Sequence, residues 1–397
     1  MNIEAGSADP VIAPAAVGAT GVVPWQFATL AHVFEDLHRT GIDSGAEVCV
    51  YIDGVERVRL LSEGRGSEQL QNVRSVSKAI LSVLVHSLHE RGVIDIDAPM
   101  SEVWPEFAEG GKQHVPLRLL LSHQAGLVGV DRQLSLQDVL KWDPAVEALA
   151  RQRPYWEPGT DHGYHDLTFG WGVGEYLRRA TGRPVGELVR RELARPLGLD
   201  LWIGIDPTVV ERITPLRQAA PQAGRTAADV VSLLEDKTSL FYRSQMNPNV
   251  SGVENTYPYL RAEIPGCNAV TNARSLARLF AATMTAVDGV RLWDSSTLRE
   301  ARRLQMRRPD RVFGRERAYA TGFMLPDPNL PQAGMEFDSF GHYGQDCSLV
   351  FALPGHGLAF SYTSTQLNSR LDQYARFDHR ATRLAAAAVE AVVSEQA

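Results

Sequence analysis

The apolar positions of the chain change period along its length, and each change marks a different kind of element. Glu47 to Ile52 alternates toward Asp53-Gly54, and Val58 to Leu61 follows as a second extended run. Strand side chains point alternately to two faces, and an Asp-Gly pair tolerates the positive φ of a tight reversal, so the stretch reads as a β-hairpin. From Ser75 onward Ile80, Val83, Leu84 and Leu88 recur at helical spacing until Gly92, and the residues between them are also largely apolar. That pattern predicts a buried helix with Ser75 at its N-terminus. The middle of the chain is punctuated by Pro and Gly and predicts helices at Leu167 to Thr181 and Val185 to Ala194. Strand patterning returns at Ser348 to Leu353 and Leu358 to Thr363, joined through Pro354-Gly355-His356-Gly357, and an Ala-rich amphipathic helix from about Tyr374 to Val393 closes the chain. Strands near both ends with helices between them predict an α+β fold whose antiparallel sheet is built from both termini. The expected division is a loose tail at 1–24, a discontinuous α/β domain at 25–90 and 265–397, and a mainly helical domain at 91–264.

Composition narrows the function classes. With 397 residues, 44% of them apolar, the chain can bury a large core. A net charge of -7 without a Lys/Arg block gives no footprint for nucleic acid. The first 24 residues lack a basic segment followed by an apolar one, and no run of 18 apolar residues occurs, so a cytoplasmic protein with no membrane partner is expected. Cys49, Cys267 and Cys347 are odd in number and far apart, which favours buried thiols over a disulfide framework. His162 and His165 lack a clear third ligand, and no metal or other cofactor is expected. No internal repeat is evident, and nothing in the sequence sets the oligomeric state.

The sharpest chemical signal is Ser75-Val76-Ser77-Lys78. Positions i and i+3 share a helix face, so a hydroxyl and an amine are brought together. The chain has only four lysines, Lys78, Lys112, Lys141 and Lys237, among 40 Lys and Arg. An amine placed on a buried helix in such an arginine-rich chain fits a need for a group that can lose its proton; a lysine snorkelling from a core helix is the structural alternative. A serine at a helix N-terminus also has a backbone N–H without an intrahelical partner, which can serve an oxyanion. Lys237-Thr238-Ser239 reads as a solvated helix end. Phe241 to Glu263, rich in Tyr and Pro without periodicity, reads as a wall or lid segment or an ordinary surface excursion.

At these residues the chain resembles the serine beta-lactamase and penicillin-binding superfamily, most closely its class C branch and the family VIII carboxylesterases. Besides Ser-x-x-Lys, Leu119-Leu120-Leu121-Ser122-His123-Gln124-Ala125-Gly126-Leu127 is similar to a family segment. Trp156-Glu157-Pro158-Gly159 with Tyr164-His165-Asp166 resembles the second motif, Asn268 to Leu279 a stretch of the esterase branch, and Gly341-His342-Tyr343-Gly344 the third motif. The resemblance implies a beta-lactamase/transpeptidase-like fold, Ser75 as nucleophile, Lys78 as its base and Tyr164 as the third catalytic group. It further implies an oxyanion hole from the Ser75 and Gln345 N–H groups, with His342, Tyr343, Gly344 and Asp166 beside the substrate. Two departures stand out. Asp166 replaces an asparagine, and His342 replaces a lysine that helps bind a carboxylate. His165 is expected to be a polar turn residue.

The expected function is a serine hydrolase acting on a small-molecule ester or related acyl substrate through an acyl-Ser75 intermediate. A transacylase delivering the acyl group to an amine or alcohol is the second reading, and a non-catalytic ligand-binding module of the same fold is the third.

Overall fold

A computed structural model of the protein describes residues 19–20, 23–218, 236–326, 338–345, 348–367 and 379–394. Its centre is a six-stranded sheet in the order Ala19–Thr20, Val55–Ser62, Glu47–Ile52, Leu358–Thr363, Ser348–Leu353, Phe340–Gly344, every neighbouring pair antiparallel. The Asp53-Gly54 reversal has φ values of +49° and +80°, as the hairpin turn requires. The expected tail lies mostly outside the described residues, but Ala19–Thr20 within it is the edge strand, paired with Leu61 and Ser62.

The two faces of the sheet bury different side chains. Val48, Val50, Val58, Leu60, Phe351 and Phe360 pack with Phe27, Leu30, Phe34 and Leu37 around helix Ala28–Arg39, and with Leu384 and Ala388 of His379–Val393. The intervening Cys49, Tyr51, Val350, Ala352 and Ala359 share the second core with Leu276 and Phe280 of helix Ala273–Met284. Helices therefore cover both faces, and Glu47–Ile52 is buried almost throughout. Glu47 is the charge in this strand. Its carboxylate meets Arg59 at 3.0 Å and Arg65 at 3.3 Å and accepts the Ala273 N–H at 3.2 Å, which pairs the buried charge and anchors the start of Ala273–Met284.

Helix Val76–Glu90 begins one residue after Ser75, and every residue from Val76 to Leu88 is buried. An amphipathic stripe would bury one face; this helix is enclosed all round because the sheet side and the helical middle of the chain both pack on it. Leu167–Thr181 matches the sequence expectation and ends at Gly182, whose φ of +68° closes the helix. Val185–Val189 runs on through Arg190–Ala194 in a wider turn, and the terminal helix is described from His379. Lys112 braces the middle region. Its buried ammonium donates to the carbonyls of Glu109, Ala150 and Gln152 at 2.6, 2.8 and 2.6 Å. Among the described residues no helix is long and apolar enough to cross a membrane.

Candidate active site

The backbone ahead of Ser75 is held in an unusual shape. Arg74 takes φ of +52°, a left-handed conformation that a non-glycine residue adopts only when its surroundings enforce it. The enforcing contacts are local. Asn72 Oδ1 accepts the Arg74 N–H at 2.8 Å, Ser77 Oγ donates to Arg74 O, and Ala269 donates its N–H to Ser77 Oγ at 2.9 Å. Ser348 Oγ donates to Val73 O at 2.7 Å from the sheet side. A side chain at Gly344 would collide with Val73 O and Ser348 Oγ, each 2.2 Å from an ideal Cβ, so glycine is what lets this strand end approach Val73 and Arg74. Ser75 and Gln345 are thereby presented from adjoining segments. Among the described residues neither backbone N–H has an acceptor.

Lys78 lies under Ser75 with no exposure to solvent. Its Nζ is 3.1 Å from Ser75 Oγ, 3.2 Å from Asp166 Oδ1 and 2.9 Å from Gly266 O. Gly266 reaches this position because Gly170, on helix Leu167–Thr181, leaves room for it: a Cβ at Gly170 would sit 2.3 Å from Gly266 N. Tyr164 completes the group, its ring centroid 4.8 Å from the ammonium. Burial by itself would lower the pKa of Lys78, but Tyr164 and then Asp166 act against it, and the amine is held above the ordinary lysine value. The Tyr164 phenol is also raised, first by burial and further by Asp166, while the Lys78 charge and hydrogen bonding with Ser75 oppose the shift. The two groups are coupled, each one's charge favouring the charged form of the other, and Asp166 favours the protonated form of both.

Tyr164 is aimed by a buried histidine scaffold. His165 donates its N–H to His123 Nδ1 at 3.0 Å, and Leu127 donates its N–H to His165 Nε2 at 2.9 Å. His165 Nδ1 pairs with Gly163 O at 2.7 Å, so this residue is a fully buried cross-link between two family segments, not the polar turn residue expected from sequence. The His123 ring lies 4.9 Å from that of Tyr164. Burial lowers His165 to about 4 and takes His123 well below the usual imidazole range, so both are neutral. His162 belongs to a separate contact, with Nε2 on Arg308 O at 3.0 Å and Nδ1 3.6 Å from Asp310.

At the third motif, His342 is enclosed. Its Nδ1 pairs with Tyr343 O at 2.6 Å, and its Nε2 is buried without a partner. Burial, with the Lys78 charge, lowers it to about 3, so this position supplies no cation. Tyr343 is half-buried against the cluster that holds Tyr164, Phe241 and Phe313. Gln345 does not extend freely toward a substrate. Arg74 donates to its Oε1 at 2.8 Å, and Arg74 is in turn 3.1 Å from Glu254. Sequence reasoning missed the Arg74–Glu254 latch and the Gly266 carbonyl. No local pattern marks either, although Arg74 adjoins Ser75.

The expected wall segment contains the short helices Leu240–Met246 and Tyr257–Arg261. It touches the site through Glu254, through Phe241 against Phe313, and through Ser244 Oγ, which donates to Tyr164 O at 3.2 Å. Lys237-Thr238-Ser239 opens Leu240–Met246, with Ser239 capping Tyr242 N–H, so it begins a helix where the sequence suggested an end. Cys49 and Cys267 are buried free thiols; Cys347 lies outside the described residues.

The family model "Beta-lactamase" matches residues 31–386. The chain is 31% identical over 369 residues to "Esterase/beta-lactamase LipL" of Mycobacterium tuberculosis, covering 88% of this chain and 84% of that protein. Its fold is similar to that of a solved family VIII carboxylesterase, with a TM-score of 0.84 at 28% identity over 94% of this chain and all of that one. It is also similar to a penicillin-binding protein homolog from Caulobacter crescentus, with a TM-score of 0.82 at 31% identity over 94% of this chain and 99% of the other.

Proposed function

The chain belongs to the beta-lactamase family, and from that premise we propose that it is a serine esterase that forms an acyl-enzyme on Ser75. The observation that carries this reading is the convergence of Ser75 Oγ, the Lys78 amine and the Asp166 carboxylate within hydrogen-bond distances beside Tyr164. Once the Lys78–Tyr164 pair has lost one proton to solvent, it can take the hydroxyl proton of Ser75 as Oγ attacks an ester carbonyl. The tetrahedral oxyanion is held by the Ser75 and Gln345 N–H groups, and the pair returns the proton to the departing alkoxide. Water then repeats the sequence on the acyl-enzyme and releases the free acid. A silent ligand-binding module has no need for a buried amine against a serine hydroxyl, and that contact favours catalysis.

The neutral His342 also bears on substrate. An ammonium there would attract an anionic carboxylate, and an uncharged imidazole does so far less. Neutral esters are therefore favoured over penicillin-like anions.

The test combines turnover with labelling. Wild-type protein should hydrolyse short-chain p-nitrophenyl esters to the free acid even with low-millimolar amine present, and a serine-directed phosphonate should leave its adduct on Ser75. Ser75→Ala should lose both. An adduct mapped to Ser77 or Ser122 overturns the assignment, and predominant amide formation would make the protein a transacylase.

A further inference from the structure

The proposed reaction asks two backbone N–H groups, those of Ser75 and Gln345, to meet one oxyanion, and Arg74 reaches both residues. The Ser75 N–H belongs to the peptide unit that Arg74 begins, so the left-handed backbone of Arg74, with φ of +52°, sets its direction. Gln345 lies one residue beyond the strand pairing, which ends at Gly344 opposite Ser348. Its side chain is tied instead to Arg74, whose Nη2 donates to Gln345 Oε1 at 2.8 Å. The two segments approach so closely that a Cβ at Gly344 would lie 3.2 Å from Arg74 Cβ.

The guanidinium is also held at its other nitrogen. Nη1 is 3.1 Å from Glu254 Oε1 in the wall segment, and the side chains of Arg74 and Glu254 are only 11% and 12% exposed. A guanidinium is planar and its N–H groups form a rigid fork, so contacts at Nη1 and Nη2 together fix both its position and its rotation. Enclosure shields these contacts from the screening that weakens a surface ion pair. Glu254 balances the positive charge, so what Arg74 supplies is geometry more than field. Oxyanion donors act best when they are fixed before the reaction, because a donor that must reorient as charge develops loses much of its benefit.

We propose that Arg74 is a positioning residue for the oxyanion hole: its backbone aims the Ser75 N–H, and its guanidinium, braced by Glu254, holds Gln345 so that the second N–H meets the same oxygen. The inference rests on the acyl-Ser75 reading and adds what fixes its two donors.

The experiment compares p-nitrophenyl butanoate with its thionoester, in which sulfur replaces the carbonyl oxygen. Sulfur is larger and a weaker acceptor, so the ratio of the two kcat values reports how well the donors meet an oxyanion. Arg74→Met keeps the aliphatic stem and Gln345→Met the side-chain length, and each breaks the contact from one end. Each should lower kcat for the oxygen ester by roughly ten-fold or more with KM little changed, since losing an oxyanion donor outright costs about a hundred-fold or more. The thionoester should slow far less, so the ratio falls. The double variant should be no worse than the poorer single one, because both substitutions undo the same contact. Arg74→Lys keeps the charge without the fork and should recover only part of the ratio. Circular dichroism checks folding, and if Arg74→Met does not fold, the Gln345→Met ratio decides. An unmoved ratio in either folded variant, or losses that multiply in the double variant, overturns the proposal while wild-type turnover leaves the esterase reading standing. A wild type that neither turns over the ester nor takes phosphonate on Ser75 fails the esterase reading, and the positioning role falls with it.

Discussion

Replacing Asp166 with asparagine should move the acidic limb of the pH–rate profile downward. The change is nearly isosteric and leaves Lys78 an oxygen to contact, so its main effect is to remove one negative charge 3.2 Å from Nζ. Two unit charges at that distance interact by about 1.3 kcal/mol in bulk water and by about 5 kcal/mol at the effective dielectric of a protein site. The 22% exposure of Asp166 against a fully enclosed Lys78 places the pair between those limits. Since about 1.4 kcal/mol corresponds to one pKa unit, the shift should be at least about one unit. Its sign does not depend on which partner acts as base. Asp166 raises both Lys78 and Tyr164, and in the proposed mechanism whichever of the two is the base must first lose its proton. The competent form gains population as pH rises, and removing the carboxylate brings that rise to lower pH. The assay is kcat/KM for a neutral ester from pH 5 to 10, which reports the free enzyme, with circular dichroism to confirm folding. An acidic limb that stays in place or moves upward would refute the reasoning.

Two further predictions concern stability. Lys112→Met keeps the length of the side chain but strands the carbonyls of Glu109, Ala150 and Gln152, so urea unfolding should show a loss of about 2 to 4 kcal/mol; a loss below about 0.5 kcal/mol would mean that water or relaxation replaces the ammonium. Acid should also destabilise the fold before carboxylates titrate. His86 and His165 are held neutral at about 4 and His342 at about 3, all by burial, whereas in the unfolded chain each would protonate near 6.5. The unfolded state binds the extra protons, so their contribution is complete above pH 6.5 and declines toward pH 4, by about 2 kcal/mol per histidine at pH 5. A Tm that stays flat between pH 7 and 5 would contradict this.

Hydrophobic period was enough to place the strands Glu47–Ile52, Ser348–Leu353 and Leu358–Thr363 and the helix Leu167–Thr181, because side-chain direction in each element repeats locally. The Ser75–Lys78 contact was legible for the same reason, being one helical turn. What the sequence could not specify are contacts whose partners lie far apart along the chain. Gly266 meets Lys78 only because Gly170 lets a distant loop close on a helix, and Arg74 finds Glu254 and Gln345 only once the sheet and the wall segment are both in place. His165 looked polar and turned out to be a buried cross-link, since whether an imidazole faces water or His123 depends on what packs over it. Asp166 is the clearest case. The chain shows that an acid replaces an amide, but only the folded protein shows that its carboxylate is spent on Lys78 and leaves the helix start behind it uncapped. Local geometry follows from local sequence; the protonation state and the contacts of a site residue follow from neighbours brought together by tertiary packing.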